Sequence, residues 1–337
     1  MPPEPLIEVR DLHIHFPVKG YGVVRAVDGV SLRVAPGEIV GLVGESGCGK
    51  TTIGRCITGE LAATQGEVLL DGKVVGRRRS SAVRRSIQMV YQDPATSLNP
   101  RLSVRRVLAE LLRVHHLVPR DQVEERCREL LAYVGLPPRA LDGYPHQFSG
   151  GQRQRIAIAR ALAVEPRMLV ADEPVSALDV SVQATILALF AELRERLGLA
   201  ILLISHNLAV VRHLSDRVAV MYLGRIAEAA PRDALFDDPR APYTQVLLKS
   251  APRLSQVGRT PEAPLKGDPP SAIDIPSGCR FRTRCPRVEA LCETDDPQLL
   301  SVDHSGPDAP PAADDNRAHV AACHFRAERA GARVDGT

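Results

Sequence analysis

The 337 residues include no tryptophan, and aromatic side chains make up only 4% of the chain. Hydrophobic residues at 44% and charged residues at 25% are nevertheless ordinary for a globular protein, which excludes a chain disordered throughout. No segment approaches the roughly 20 consecutive apolar residues of a membrane span, which excludes a membrane-embedded fold. Met1 to Arg10 has neither the basic start nor the apolar run of a signal peptide, so a cytosolic chain is expected. An excess of one charge is also missing. With 43 basic and 40 acidic residues the net charge is +3, too small to create a global field that would collect nucleic acid or an anionic membrane. No internal repeat is found. Seven cysteines in a chain expected to be cytosolic argue against a disulfide framework, because that compartment keeps thiols reduced.

What is present has a clear order. Leu6 to Phe16, Gly29 to Val34 and Glu38 to Val43 have strand-like apolar content, and Glu67 to Val75 has the pattern of a hairpin around Asp71-Gly72. Together they predict an antiparallel β layer. From Ser103 to about Glu165 the spacing becomes helical, which predicts a helical insert over about 95–165. Strands at Met168 to Ala171, Ala200 to Ile204 and Val218 to Tyr222, with a helix from about Ser181 to Leu197, then predict an α/β core with a mainly parallel sheet. The stripe of Ile186, Leu189, Phe190, Leu193 and Leu197 reads as core packing. Beyond about Ala251 the composition changes: eleven of the 27 prolines and four of the seven cysteines fall in this last stretch. The reading is a first domain over 1–250 and a small irregular extension over 251–337, with the last dozen residues frayed.

Three motifs carry chemistry. Gly44-Glu45-Ser46-Gly47-Cys48-Gly49-Lys50-Thr51 fits GxxxxGK[ST] between an apolar strand and a helical stretch, the context of a phosphate-binding loop. Its N–H groups would converge on phosphate oxygens, Lys50 would reach the outer phosphates and Thr51 would ligate Mg²⁺, with Thr52 following in the helix. Leu169-Val170-Ala171-Asp172-Glu173 is an apolar strand ending in two acids: Asp172 is suited to hold Mg²⁺ through water and Glu173 to orient or deprotonate the attacking water. Ser149-Gly150-Gly151-Gln152 precedes a helical run, so its N–H groups could receive an anion, although alone it is an ordinary Ser cap with glycines in the loop before it. Cys48 inside the phosphate loop has two readings. A positive loop end would lower its pKa and make it alkylatable, with ATP protecting; or the position simply takes a small residue.

The combination of Gly44 to Thr51, Gln92 after a strand, Ser149 to Gln152, Asp172-Glu173, Ser176-Ala177-Leu178-Asp179 and His206 resembles the ABC ATPase family over about residues 5–250. The resemblance implies a P-loop NTPase core, a catalytic set of Glu173, His206 and Gln92, and a Mg²⁺ site of Thr51, Gln92 and Asp172. It implies that His206 senses the γ-phosphate and that Asp179 lies in the loop crossing a dimer interface. Phe16 is placed as the adenine-stacking aromatic, with Tyr21 as the rival. Two such domains associate head to tail in the family, so the Ser149 loop of one closes on ATP held by the other. Phe148 stands where the family usually has Leu, which preserves polarity.

In the last stretch the spacing is Cys279-x5-Cys285-x6-Cys292 and then Cys323. Four thiols in a reduced compartment suit a metal site: an iron–sulfur cluster, whose charge Arg280, Arg282 and Arg284 would offset, or tetrahedral zinc. With Ala241-Pro242-Tyr243-Thr244 before it, this tail resembles the C-terminal extension of oligopeptide and dipeptide importer ATPases, which implies a [4Fe–4S] cluster. Pro174-Val175-Ser176-Ala177-Leu178-Asp179 resembles the F-type member of that branch. The resemblance further implies a second, different ATPase chain, two membrane permease subunits, an external substrate-binding protein acting through them, no nucleic acid, and a place at the cytoplasmic face of the cell membrane. The expected cargo is a di- or oligopeptide. Nickel, glutathione or another small solute, or a non-transport ABC ATPase acting on nucleic acid or the ribosome, are the alternatives.

Overall fold

A computed structural model describes residues 4–94, 97–250, 267–303 and 318–327. The chain opens with a long antiparallel hairpin, β1 (Ile7–Val18) and β2 (Gly22–Val34), in register from Ile7 opposite Val34 to Val18 opposite Gly22. Ile7, Val9, Leu12 and Ile14 are buried, and a bulge at Asp11, whose φ is 42°, resets the alternation between Val9 and Leu12. Next come β3 (Ile39–Val43) and α1 (Lys50–Thr58). β4 (Gln65–Leu70) and β5 (Lys73–Val74) then meet at Asp71-Gly72, both with positive φ, in the turn that suits two twisted strands. The resulting four-stranded sheet has the order β2-β1-β4-β5.

After α2 (Ser81–Ser86) and β6 (Ile87–Val90) the chain leaves for the helical region, α3 (Val104–Val114), α4 (Val123–Tyr133) and α5 (Gly150–Leu162). It returns through β7 (Met168–Asp172), α6 (Val180–Leu197), β8 (Ala200–Ser205), α7 (Leu208–Leu214), β9 (Arg217–Tyr222), β10 (Arg225–Pro231), α8 (Arg232–Asp237) and α9 (Pro242–Ser250). α10 (Leu291–Thr294), β11 (Leu300–Ser301) and β12 (Val320–Ala321) complete the described elements. The second sheet has the order β11-β12-β10-β9-β3-β8-β7-β6. Its β6, β7, β8, β3 and β9 run parallel and are covered on both faces, which is why they read as unbroken apolar runs instead of alternating ones. In α6, Ile186, Leu189, Phe190 and Leu193 are buried, but Leu197, expected in the same stripe, is 39% exposed at the helix end.

The C-terminal stretch does more than hang from the core. β12 pairs antiparallel with β10, Glu228 opposite Ala321 and Ala229 opposite Val320, and β11 pairs with β12. Two-residue strands carry no readable periodicity, so composition alone suggested only an irregular appendage. Fully buried Glu228 is satisfied there by His319 Nε2 at 2.7 Å and by the N–H groups of Arg240 and Ala241 at 2.7 and 2.8 Å. Asp28 of β2 makes a second junction: it faces His13 Nδ1 at 3.2 Å, His15 Nε2 at 2.9 Å and the guanidinium of Arg280. Burial would raise its carboxyl, but Arg280 and the two histidines together outweigh burial and hold it well below the usual range. The proposed break at 251 and the frayed last dozen residues lie outside the described residues.

Candidate functional site

The site is built at the ends of β3, β7 and β8, adjacent parallel strands whose C-terminal ends share one edge of the sheet, the usual ligand position in such sheets. β3 ends at Val43 and the chain turns at once through Gly44, where a Cβ would stand 2.1 Å from the carbonyl oxygen of Met221. The loop closes at Gly49, with φ 109° and only 2.1 Å for a Cβ before the oxygen of Ala26. No side chain fits either place, so these glycines let the loop press against β9 and β2. α1 then begins at Lys50, which is buried, with Nζ donating to the oxygens of Gly44 and Glu45 at 2.8 and 2.9 Å. Ser46 and Gly47 stay exposed at the tip, and Thr52 is half-buried in the first turn of α1.

Thr51 Oγ1 donates to Asp172 Oδ1 at 3.0 Å, joining the loop to the end of β7. Burial pushes the Asp172 carboxyl up, the Thr51 hydroxyl partly offsets this, and the charge of Glu173 adds to the rise. A hydroxyl and a buried carboxylate in contact are the oxygen donors that a Mg²⁺ site uses. Glu173 follows with φ 46°, a backbone state that costs a non-glycine residue about 1–3 kcal/mol. Its N–H donates to Ile204 of β8 at 2.9 Å, and its Oε1 lies 3.0 Å from Nδ1 of His206. The carboxylate is 18% exposed and the imidazole 54% exposed, so both can meet a solvent-side substrate.

The remaining candidates are placed as follows. Gln92 is exposed just past β6, and Gln154 of α5 supports that strand end by donating to the Tyr91 oxygen at 3.3 Å. Ser149 caps α5: its Oγ accepts from Gln152 N at 3.3 Å while the Gln152 side chain accepts from Ser149 N at 3.0 Å. Gly150 and Gly151 are the first residues of the helix, not part of a preceding loop. A Cβ on Gly151 would come within 2.4 Å of Val182 in α6, so this glycine serves helix packing. Among the described residues no hydrogen bond joins Ser149–Gln152 to the Gly44–Thr51 loop. Asp179 is exposed at the N-cap of α6 without a capping bond. Phe16 is 38% exposed on β1 and Tyr21 is 78% exposed in the turn after it.

Of the two readings of Cys48 the structure favours the second: it faces inward at 4% exposure and burial raises its thiol despite Lys50 nearby, as for a small packing residue. One expectation is corrected. Arg280, Arg282 and Arg284 do not surround the cysteines: Arg280 serves Asp28 and the Leu223 oxygen, Arg282 serves Ser277, and Arg284 reaches Glu45. Among the described residues Arg287 is an arginine at the cysteines. It lines a cavity of about 40 Å³ together with Cys279, Cys285, Cys292 and Cys323, so the structure does bring the four thiols to one place. Burial, and then the neighbouring sulfurs, push Cys279 up to about 11, and burial pushes Cys323 up to about 12.

One part of the site was not anticipated. Arg284 grips the Glu45 carboxylate with two nitrogens at 2.8 and 2.9 Å, and Tyr243 Oη accepts from Glu45 N at 3.1 Å. Tyr222, Tyr243 and Phe281 pack ring to ring beside them, with centroids 4.5–5.3 Å apart. The Ala241-Pro242-Tyr243-Thr244 run was the only sequence signal for this contact. Arg284 lies 239 positions from Glu45.

A loop of this form on a parallel sheet, tied by Thr51 to an acidic strand end, defines a P-loop nucleoside-triphosphate-binding protein. The ABC transporter family pattern matches residues 27–176, and that of the oligopeptide/dipeptide transporter C-terminal region matches residues 227–292. The oligopeptide transport ATP-binding protein AppF of Bacillus subtilis (strain 168) is 44% identical over 96% of this chain and 98% of its own length. OppF of Escherichia coli (strain K12), also an oligopeptide transport ATP-binding protein, is 45% identical over 87% of this chain and 92% of its own. Among solved structures, cbiO1 from Clostridium perfringens, part of the ABC transporter complex cbiONQ, superposes with a TM-score of 0.62 at 29% identity, over 69% of this chain and 91% of that one. The ATP-binding cassette MJ0796, a dimer in a post-hydrolysis state with ADP and Pi, gives 0.60 at 28% identity, over 67% and 98%. The chain therefore belongs to the ABC transporter family of ATPases, and its fold is the P-loop core with the antiparallel β layer of that family. Among the described residues no helix is long and apolar enough to cross a membrane.

Proposed function

We propose that this chain is the ATP-hydrolysing subunit of an importer for di- and oligopeptides, peripheral to the cytoplasmic face of the membrane. The observation that carries the catalytic part is the Thr51–Asp172 hydrogen bond, which joins the phosphate loop to the metal-holding carboxylate beside Glu173 and His206. The relatives named above, and the match of residues 227–292 to the oligopeptide/dipeptide region, support the cargo.

In this reading Lys50 and the loop N–H groups bind the outer phosphates, and Thr51, Asp172 and Gln92 would hold Mg²⁺, which when bound would supply positive charge against the phosphates. Glu173 orients or deprotonates the water, with His206 beside it at the γ-phosphate. Ser149 to Gln152 and Asp179 complete the site of a second ATPase chain packed head to tail, and Phe16 or Tyr21 stacks on adenine. Dimer closure drives two permease subunits, which receive peptide from an external binding protein.

Cys279, Cys285, Cys292 and Cys323 are assigned to a [4Fe–4S] cluster. Their convergence on one cavity supports a metal. Among the described residues no three of these sulfurs lie within 4.8 Å of one another, so they do not stand at the spacing of about 3.8 Å that tetrahedral zinc would impose. Iron and acid-labile sulfide in an anaerobic preparation would uphold this assignment; zinc without iron would replace it.

The test of the transport reading is ATPase activity of the tagged chain purified from its native membranes. Turnover is measured with and without di- to pentapeptides and the matching binding protein. Co-purified permeases with peptide-stimulated turnover are the expected result. A soluble ATPase carrying RNA or ribosomes and no membrane partner would overturn it.

A further inference from the structure

We infer that Arg284 of the C-terminal stretch is a positioning residue for ATP, acting through Glu45 of the phosphate loop. The inference rests on the assignment of Gly44 to Thr51 as the phosphate-binding loop. A carboxylate at the second position of that loop has the wrong sign for an anionic nucleotide, because like charges brought together in a partly desolvated site repel strongly. Arg284 removes that difficulty in two ways. Its two nitrogens at 2.8 and 2.9 Å hold the carboxylate bidentately, which neutralises it, and the same grip directs it toward the tail.

The grip is built rather than incidental. The Arg284 side chain is only 5% exposed, its guanidinium lies 6.0 Å from the centre of the Tyr222 ring, and one of its nitrogens is 3.4 Å from the Tyr222 hydroxyl. Tyr243, fully buried, fixes the same residue from its backbone side by accepting the Glu45 N–H. Cys285, the next residue after Arg284, lines the cysteine cavity, as do Tyr243 and Phe281. The segment that carries three of the four thiols therefore also carries the side chain that sets the charge of the phosphate loop.

Electrostatic positioning and simple support of the fold predict different outcomes. If Arg284 acts by neutralising Glu45, Arg284→Ala weakens binding of MgATP to the full chain by about tenfold, the scale of one lost charge-assisted hydrogen bond. Removing the carboxylate as well, in Arg284→Ala/Glu45→Gln, then restores affinity to within about threefold of the parent. The single-variant defect also shrinks as salt is raised, since screening weakens the repulsion. Binding of MgATP is measured by equilibrium dialysis, with the thermal midpoint recorded in parallel, and Arg284→Gln is used if the alanine variant does not fold. Affinity unchanged in the single variant, or a double variant as weak as the single, would overturn the inference. Lys50→Ala is the control: if it binds MgATP as well as the parent, the phosphate-loop assignment itself fails, an outcome separate from a failure of Arg284 alone.

Discussion

Glu173 Oε1 and His206 Nδ1 stand 3.0 Å apart although they are 33 positions apart in the chain, because β7 and β8 are neighbours in the parallel sheet and each releases its chain at the same edge. The Glu173 N–H bond to Ile204 helps hold the residue in its strained backbone state. Replacing Glu173 by Gln keeps the shape and removes the base. We expect MgATP affinity within about threefold of the parent and phosphate release reduced by at least about a hundredfold, the usual loss of a general base. Robust turnover by Glu173→Gln at saturating ATP would refute its assignment as the activating acid.

The glycines of the loop are not equivalent. At Gly49 a Cβ meets the Ala26 oxygen at 2.1 Å, while at Gly47 it meets nothing within 4 Å although φ is positive at both. Gly49→Ala should abolish nucleotide binding and lower the thermal midpoint, whereas Gly47→Ala should cost only the intrinsic penalty of about 1 kcal/mol for a left-handed residue. Equal effects in calorimetry and nucleotide titration would contradict this account of the turn.

At the start of α5 the close approach of Gly151 to Val182 makes a compensating pair. Gly151→Ala should destabilise the protein by about 1–3 kcal/mol through overpacking, and adding Val182→Ala should recover much of it. Denaturant midpoints of the two single variants and the double variant measure the coupling. Strict additivity would mean that the glycine is required for another reason.

Asp28 makes stability depend on pH at the acid end. Its folded pKa lies below the ordinary value of 3.8, so the stability it contributes is complete above that value and is lost as pH falls toward the lower folded value. Asp28→Asn leaves Arg280 buried without its carboxylate and should cost about 3 kcal/mol at neutral pH. The difference from the parent should narrow below pH 4 in pH-dependent unfolding. A constant difference down to pH 2 would separate the effect from the charge of this carboxylate.

Much of this was legible in the chain. The phosphate loop is a contiguous motif, and Asp172-Glu173 ends an apolar run long enough to identify a buried strand. What escaped depends on distant parts meeting. The direction of the Cys48 side chain is decided by packing under Gly44, which no local pattern encodes. Arg280, Arg282 and Arg284 looked like a basic cluster around the cysteines because their spacing is regular, yet each is drawn to a different partner by the fold. The inclusion of Gly150 and Gly151 in α5 goes against the poor helix propensity of glycine, and the close approach of Gly151 to Val182 of α6 accounts for the second of them.

β12 lies along the outer side of β10, and so the last strand of the cassette is completed by residues almost a hundred positions later. A cassette cut at residue 250 would present the backbone donors and acceptors of β10 to any passing strand, the condition under which sheets join between molecules. Dissecting the C-terminal stretch by deletion would therefore measure self-association as much as activity, which makes point substitutions in the full chain the sounder route.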